Sequence, residues 1–91
     1  MNVAVRYLAQ LRQAAGRSTE TVAVDAGCTV AGLVAALAGR TPALRPVLLD
    51  SAGAPRRGLL VFVGDRQASG DERLTDGVEV TLMTPIAGGG Q

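Results

Sequence analysis

Thr29-Val30-Ala31-Gly32-Leu33-Val34-Ala35-Ala36-Leu37-Ala38-Gly39 is the stretch on which the fold turns. Val30, Leu33, Val34 and Leu37 fall at i, i+3, i+4 and i+7, which is one apolar stripe of an amphipathic helix. Thr29 is placed to cap its N-terminus. Gly39, with Pro42 shortly beyond it, predicts the stop. Gly32 costs helix propensity, and its missing side chain is expected to let the helix sit close to a sheet. What flanks this helix has the period of strands.

Upstream, Asn2 to Leu8 alternates, with Val3, Val5 and Tyr7 on one face and Ala4, Arg6 and Leu8 on the other. Leu11 to Ala15 reads as one helical turn closed by Gly16. Thr19 to Val24, rich in β-branched residues, reads as a second strand, and the short link predicts an antiparallel pair. Downstream, Leu44 to Leu49 reads as an irregular turn around Pro46, and Asp50 to Gly58 as a loop. Leu59 to Val63 is a continuous apolar run of buried-strand length. Gly64-Asp65 turns it. Asp71 to Leu74 reads as a short edge strand, and Asp76-Gly77 as a tight turn. Val78 to Met83 is the last strand, with Val78, Val80 and Leu82 on one face and Glu79, Thr81 and Met83 on the other.

A strand pair, one helix and a return to the sheet put the helix across one face of a mixed sheet. The expectation is an α+β, ubiquitin-like β-grasp: four to five strands with one main helix packed across them. The first and last strands are expected to be adjacent and parallel at the centre. Residues 1–85 form the domain, and residues 86–91 a glycine-rich tail.

Composition narrows the function. The chain has 91 residues, enough for one small domain, and 47% of them are apolar, enough for a core. Tyr7 and Phe62 are the only aromatics, too few for stacking on single-stranded nucleic acid. A net charge of +1 gives no strong field for phosphate backbones or acidic membranes. No apolar run approaches a membrane span, and the N-terminus lacks the order of a signal peptide. The expectation is a cytoplasmic protein that binds neither nucleic acid nor membrane. Cys28 is the only cysteine and histidine is absent. That removes an internal disulfide, a four-cysteine cluster, zinc-finger spacing and any histidine-based triad. No metal or cofactor is expected to be bound, and the chain is not expected to be an enzyme. All nine basic residues are arginines. A composition bias is one reading, since Ala, Gly and Val are also abundant; a second bears on the tail.

A core has no use for Gly88-Gly89-Gly90-Gln91. Glycines carry the largest backbone entropy and cannot pack side chains. One reading is a frayed terminus or a cloning remnant. The other is a tether thin enough to enter a narrow channel in another protein, with Ile86 docking at the channel mouth.

The stretch Arg73-Leu74-Thr75-Asp76-Gly77-Val78-Glu79-Val80-Thr81-Leu82-Met83-Thr84-Pro85-Ile86-Ala87-Gly88-Gly89 resembles the C-terminal signature of the MoaD/ThiS family of ubiquitin-like sulfur carriers. Tyr7-Leu8-Ala9-Gln10-Leu11-Arg12-Gln13-Ala14-Ala15-Gly16 is similar to the F-A-x-L-R-E-x-x-G segment of the MoaD branch. The likeness covers nearly the whole chain and is weakest over residues 40–58. It implies a β-grasp protein whose terminal glycine carboxylate is adenylated by an ATP-dependent, ubiquitin-activating-type adenylyltransferase. Sulfur from a persulfide then displaces AMP, and the resulting thiocarboxylate serves as sulfur donor. ATP and Mg²⁺ are used by that partner, not held by the carrier. The terminal glycine of the family matches Gly89, so Gly90 and Gln91 are extra, and the resemblance implies their removal by a processing metalloprotease. If Gln91 stays, its side chain obstructs a glycine-sized channel. The tail residues Ile86, Ala87, Gly88 and Gly90 flank the reacting Gly89.

With the first and last strands as neighbours, Leu8 and Met83 share the face away from the helix, near the tail. They read either as a partner patch or as scattered surface apolar residues. The resemblance implies that Leu8, Met83 and Pro85 meet the partner. Cys28 lies just before the helix, where the dipole could lower its pKa, though a structural thiol is the simpler reading. Arg56-Arg57 reads as a solvated loop that could steer an acidic partner. Asp65, Asp71 and Glu72 read as a solvated edge, without metal-ligand spacing.

Several functions remain open. The N-terminal segment favours the small subunit of molybdopterin synthase, working with the large subunit or another sulfur-accepting enzyme. The long central loop and the Pro85-Ile86-Ala87-Gly88-Gly89 end are also similar to a CysO-type carrier of cysteine biosynthesis. A third reading is a protein modifier similar to archaeal ones, for which absent lysines mean that an activated tail cannot attack its own ε-amines. A fourth is an interaction domain with an inert tail.

Overall fold

The alternation along the first strand is what the sheet uses. The computed structural model describes residues 1–84. In it β1 (Asn2–Tyr7) buries Val3, Val5 and Tyr7, and the residues between them face the other way. A short helix, α1 (Gln10–Ala15), ends where Gly16 takes a left-handed φ of 75° and its N–H returns to Arg12 O. β2 (Thr19–Ala23) then pairs antiparallel with β1, Val22 opposite Val3. The apolar stripe forms α2 (Val30–Arg40), burying Val30, Leu33, Val34, Leu37 and Ala38. Thr29 Oγ1 accepts the Gly32 N–H at 3.1 Å, a cap typically worth about 1 kcal/mol.

After a 3₁₀ turn at Pro42–Leu44 and a helical turn α3 (Arg45–Leu48), the chain returns as β3 (Leu60–Val63), β4 (Arg66–Gln67) and β5 (Glu79–Met83). The order across the sheet is β2-β1-β5-β3-β4. β1 and β5 are central and parallel, from Ala4 opposite Glu79 to Tyr7 opposite Leu82. This is the expected β-grasp, a mixed five-stranded sheet with one main helix across it. Gly77, at φ 82°, closes the turn into β5, and its N–H donates to Asn2 O.

The core is apolar except at Tyr7. Its hydroxyl donates to Glu20 Oε2 at 2.5 Å. Burial, and then the Glu20 carboxylate, hold the Tyr7 hydroxyl well above the usual phenolic range. Glu20 also ion-pairs with Arg17 at 3.8 Å and with Arg40, the last residue of α2, at 3.6 Å. One polar cluster thus ties the end of the helix to β1 and β2.

Four expectations need correction. α2 does not stop at Gly39; it runs to Arg40 and is capped by Thr41, whose N–H reaches Leu37 O. The turn around Pro46 is helical, because prolines at the first positions of a 3₁₀ and an α turn have no intrahelical N–H to lose. Asp71 to Leu74 is not an edge strand. It crosses the start of α2, with Val30 N–H to Glu72 O and Leu74 N–H to Cys28 O, and the edge is β4 instead. Gly32 does not bring α2 near the sheet. It is exposed, and a Cβ there would stand 3.1 Å from Cys28 Sγ, so its bareness makes room for the cap.

Candidate functional site

Parallel pairing makes β1 and β5 end together. Leu8 N–H donates to Leu82 O at 3.0 Å, which carries the ladder one residue past β1. Beyond Leu8 the chain turns sharply into α1: Leu11 N–H returns to Leu8 O at 3.1 Å, with Ala9 at φ 54°, ψ −127°. Those angles are the first central position of a type II′ turn, one that glycine usually fills. Thr84, the last described residue, stands beside this turn, its hydroxyl 3.4 Å from Gln10 Oε1. Thr84 itself stands between the Leu8 turn and the central loop.

Leu8 and Met83 share the outer face, as expected. The structure adds two residues that the sequence reading missed. Leu60 sits opposite Met83, and Phe62 opposite Thr81, both on the face away from Val61 and the core. Leu8, Leu60, Phe62 and Met83 are half-buried and stand outside the core cluster. Further from the tail the same face becomes polar, with Arg6 and Glu79 paired at 3.7 Å. The outer face thus grades from charged to apolar toward the tail.

Before β3 the central loop folds back on itself. Asp50 Oδ1 accepts the N–H groups of Ala52 and Ala54 at 2.9 and 3.0 Å. Arg56 returns to the helical turn before it, N–H to Leu48 O and Nε to Pro46 O. The result is a cleft of about 380 Å³ lined by Asp50, Arg56, Arg57, Gly58, Leu59 and Thr84. The two arginines that read as a solvated loop therefore stand at the root of the tail.

The other singled-out residues lie elsewhere. Burial, and then Asp25, push the Cys28 thiol up, against the lowering that a helix dipole would give. Arg66 holds Glu72 with Nη1 on Oε1 at 2.8 Å, which keeps that carboxyl below its usual range. Asp71 accepts the Ser69 hydroxyl. Among the described residues, no cluster of His, Cys, Asp or Glu could hold a metal, and no helix is long and apolar enough to cross a membrane. Pro85 to Gln91, including Ile86, Ala87, Gly88, Gly89 and Gly90, lie outside the described residues.

A family model described as the ThiS family matches residues 5–89. No curated protein matches the chain by sequence. Solved structures similar to it include SAMP1, the small archaeal modifier protein 1, from Haloferax volcanii. That protein is 29% identical over 98% of this chain and 100% of that one, with a TM-score of 0.90. A molybdopterin converting factor subunit 1 from Pyrococcus furiosus is 26% identical over 94% of this chain and 99% of that one, with a TM-score of 0.77. A chain of the BexX/CysO complex from Amycolatopsis orientalis is 22% identical over 96% of this chain and 99% of that one, with a TM-score of 0.71.

Proposed function

The chain belongs to the ThiS family of ubiquitin-like sulfur carriers and modifiers, and on that premise we propose that it carries sulfur as a thiocarboxylate at Gly89. The observation that carries the reading is the extent of the family match. It runs through Gly88 and ends at Gly89, the position where a carrier's reacting carboxylate belongs. Gly90 and Gln91 are then removed by a processing metalloprotease.

In this reading the chain is a co-substrate, and its partners supply the acid–base groups that a histidine-free chain lacks. A carboxylate is a poor acyl donor. A ubiquitin-activating-type adenylyltransferase joins it to AMP from ATP and Mg²⁺, releasing pyrophosphate. A persulfide's outer sulfur displaces AMP to give an acyl disulfide, and a second thiol of the partner attacks the inner sulfur, forming a partner disulfide and releasing the thiocarboxylate. The apolar patch of Leu8, Leu60, Phe62 and Met83 is the docking surface, and Pro85, two residues after Met83 in the chain, meets the same partner. It lies at the end of the sheet from which the tail departs, so a partner that takes the tail covers it.

For the acceptor, the first reading is molybdopterin synthesis, with the large synthase subunit as partner, supported by the Pyrococcus furiosus likeness at 26% identity. The second is protein modification, favoured by the 29% identity and TM-score of 0.90 to a small archaeal modifier. The cysteine-synthesis route has weaker support, because the CysO likeness at 22% speaks for the fold alone.

The test is the intact mass of the protein from its native cells. A chain ending at Gly89, with one oxygen replaced by sulfur in a fraction, is expected. A homogeneous chain ending at Gln91 without sulfur, in cells that express the protease and the activating enzyme, overturns the reading and leaves an interaction domain. Conjugates above the free mass move the assignment to the modifier.

A further inference from the structure

The two ends of the central strands differ in chemistry. All nine basic residues are arginines, and lysine and histidine are absent. A guanidinium stays protonated at every physiological pH and does not attack carbonyls, whereas a lysine amine is free in a small fraction and does. Excluding lysine leaves two strong nucleophiles, the α-amine of Met1 and the thiol of Cys28. Both lie at the end of the sheet opposite the tail.

The topology puts them there. β1 and β5 run parallel, so Met1 precedes the strand start while Thr84 follows the strand end. Seven residue steps of strand separate Met1 from Leu8, which is roughly 23 Å at the usual rise. The five residues from Pro85 to Gly89 span at most about 18 Å from Thr84. The α-amine is also engaged, donating to Val24 O at 2.7 Å. β2 runs back antiparallel and brings the chain to Cys28 at that same far end, where Leu74 N–H holds the Cys28 carbonyl. Burial, and then Asp25, push its thiol up and so favour the protonated form.

The tail root has the reverse character. Arg56 and Arg57 line the cleft with Thr84, giving positive charge without a nucleophile. The hydroxyl that lines it, that of Thr84, has no histidine to activate it.

We propose that this arrangement makes the chain an acyl donor that cannot be its own acceptor: among the described residues, the tail end offers neither an amine nor a thiol to an activated Gly89 carbonyl. The inference rests on the reading that the tail is activated. The step it excludes is attack by an amine on that carbonyl, forming an amide, expelling AMP or a thiol, and releasing a proton to solvent. Arginine is the residue that keeps positive charge beside the tail without permitting that attack.

The test installs the activated carbonyl chemically. Residues 1–89, which retain every strand and helix of the described fold, are prepared as the C-terminal thioester of 2-mercaptoethanesulfonate. Wild type, R57K, R56K and the far-end control N2K are followed at pH 8.5 by intact mass. At dilute protein, R57K or R56K is expected to expel the thiol and form an internal amide at least roughly 10-fold faster than wild type forms any self-acylated product, because a tethered tail is presented at about millimolar effective concentration. Wild type and N2K are expected only to hydrolyse. The proposal is overturned if wild type self-acylates as fast as the lysine variants. It is also overturned if neither R57K nor R56K forms an amide, or if N2K does so equally fast. Because no enzyme takes part, these outcomes are separate from the native-mass test, which alone decides whether cells activate the tail.

Discussion

The two faces of the central β1–β5 pair are built from alternate residues of the same strands and carry opposite properties. Val3, Val5, Tyr7, Val80 and Leu82 are buried together, while Leu8, Thr81 and Met83 on the other face stay half-buried and Arg6 and Glu79 are exposed. The core and the proposed docking surface therefore rest on neighbours one residue apart. A partner patch can lie on a β-grasp without weakening it, because the pleat puts successive side chains on opposite faces.

The sharpest way to break that comparison is to truncate two adjacent residues. Leu82→Ala leaves a cavity in a site with no exposure, so it is expected to cost about 3 kcal/mol in chemical denaturation. Met83→Ala is expected to cost less than about 1 kcal/mol, because its side chain already meets solvent. Its effect belongs in the tail reaction, with the rate of tail adenylation falling at least roughly 10-fold as a docking anchor is lost. If Met83→Ala destabilises as much as Leu82→Ala, the outer face is part of the core and the patch is not one.

Tyr7 is where the inner face is not purely apolar. Tyr7→Phe deletes the hydroxyl that donates to Glu20 but leaves Glu20 its two arginines. The expected loss is about 1–2 kcal/mol at neutral pH. The hydroxyl is held above its ordinary pKa of 10.0, so the fold favours the protonated form. That contribution is complete below pH 10 and is lost as pH rises through the raised value. Denaturation at pH 7 and near pH 10.5 is therefore expected to show a smaller gap between wild type and Tyr7→Phe at the higher pH. A gap that widens with pH would mean that Glu20 does not hold the proton.

The same two faces explain what the sequence disclosed. Alternation along β1 and β5, and the stripe from Val30 to Leu37, were enough to order the elements and predict a parallel centre, because each pattern is local. The gaps have physical causes. Leu59 to Val63 is apolar at every position, and such a run does not reveal that only one face is covered; hence Leu60 and Phe62 went unnoticed as surface. Pro42 and Pro46 read as breakers, although a first-turn proline is compatible with a helix. Asp71 to Leu74 has the composition of an edge, but its partners are the carbonyls and amides at the start of α2, some 40 residues away in the chain. Arg56 and Arg57 gained meaning only when the loop returned them to Thr84.

The smallest expected effect lies where alternation ends. Ala9 holds φ 54° and ψ −127° at the turn after Leu8, a region that costs a residue with a Cβ about 1–3 kcal/mol. Glycine removes that strain but adds unfolded-state entropy worth roughly 0.5–1 kcal/mol. The difference leaves Ala9→Gly expected to stabilise the fold by about 1 kcal/mol. The side chain is exposed, so nothing in the packing opposes the change. The turn follows directly on Leu8, a residue of the proposed docking patch. The substitution is thus expected to raise stability while modestly slowing tail adenylation. A variant that gains stability with no change in adenylation would show that Leu8 is positioned by its bond to Leu82 alone. One that loses stability would show that the methyl group has a partner in the folded protein.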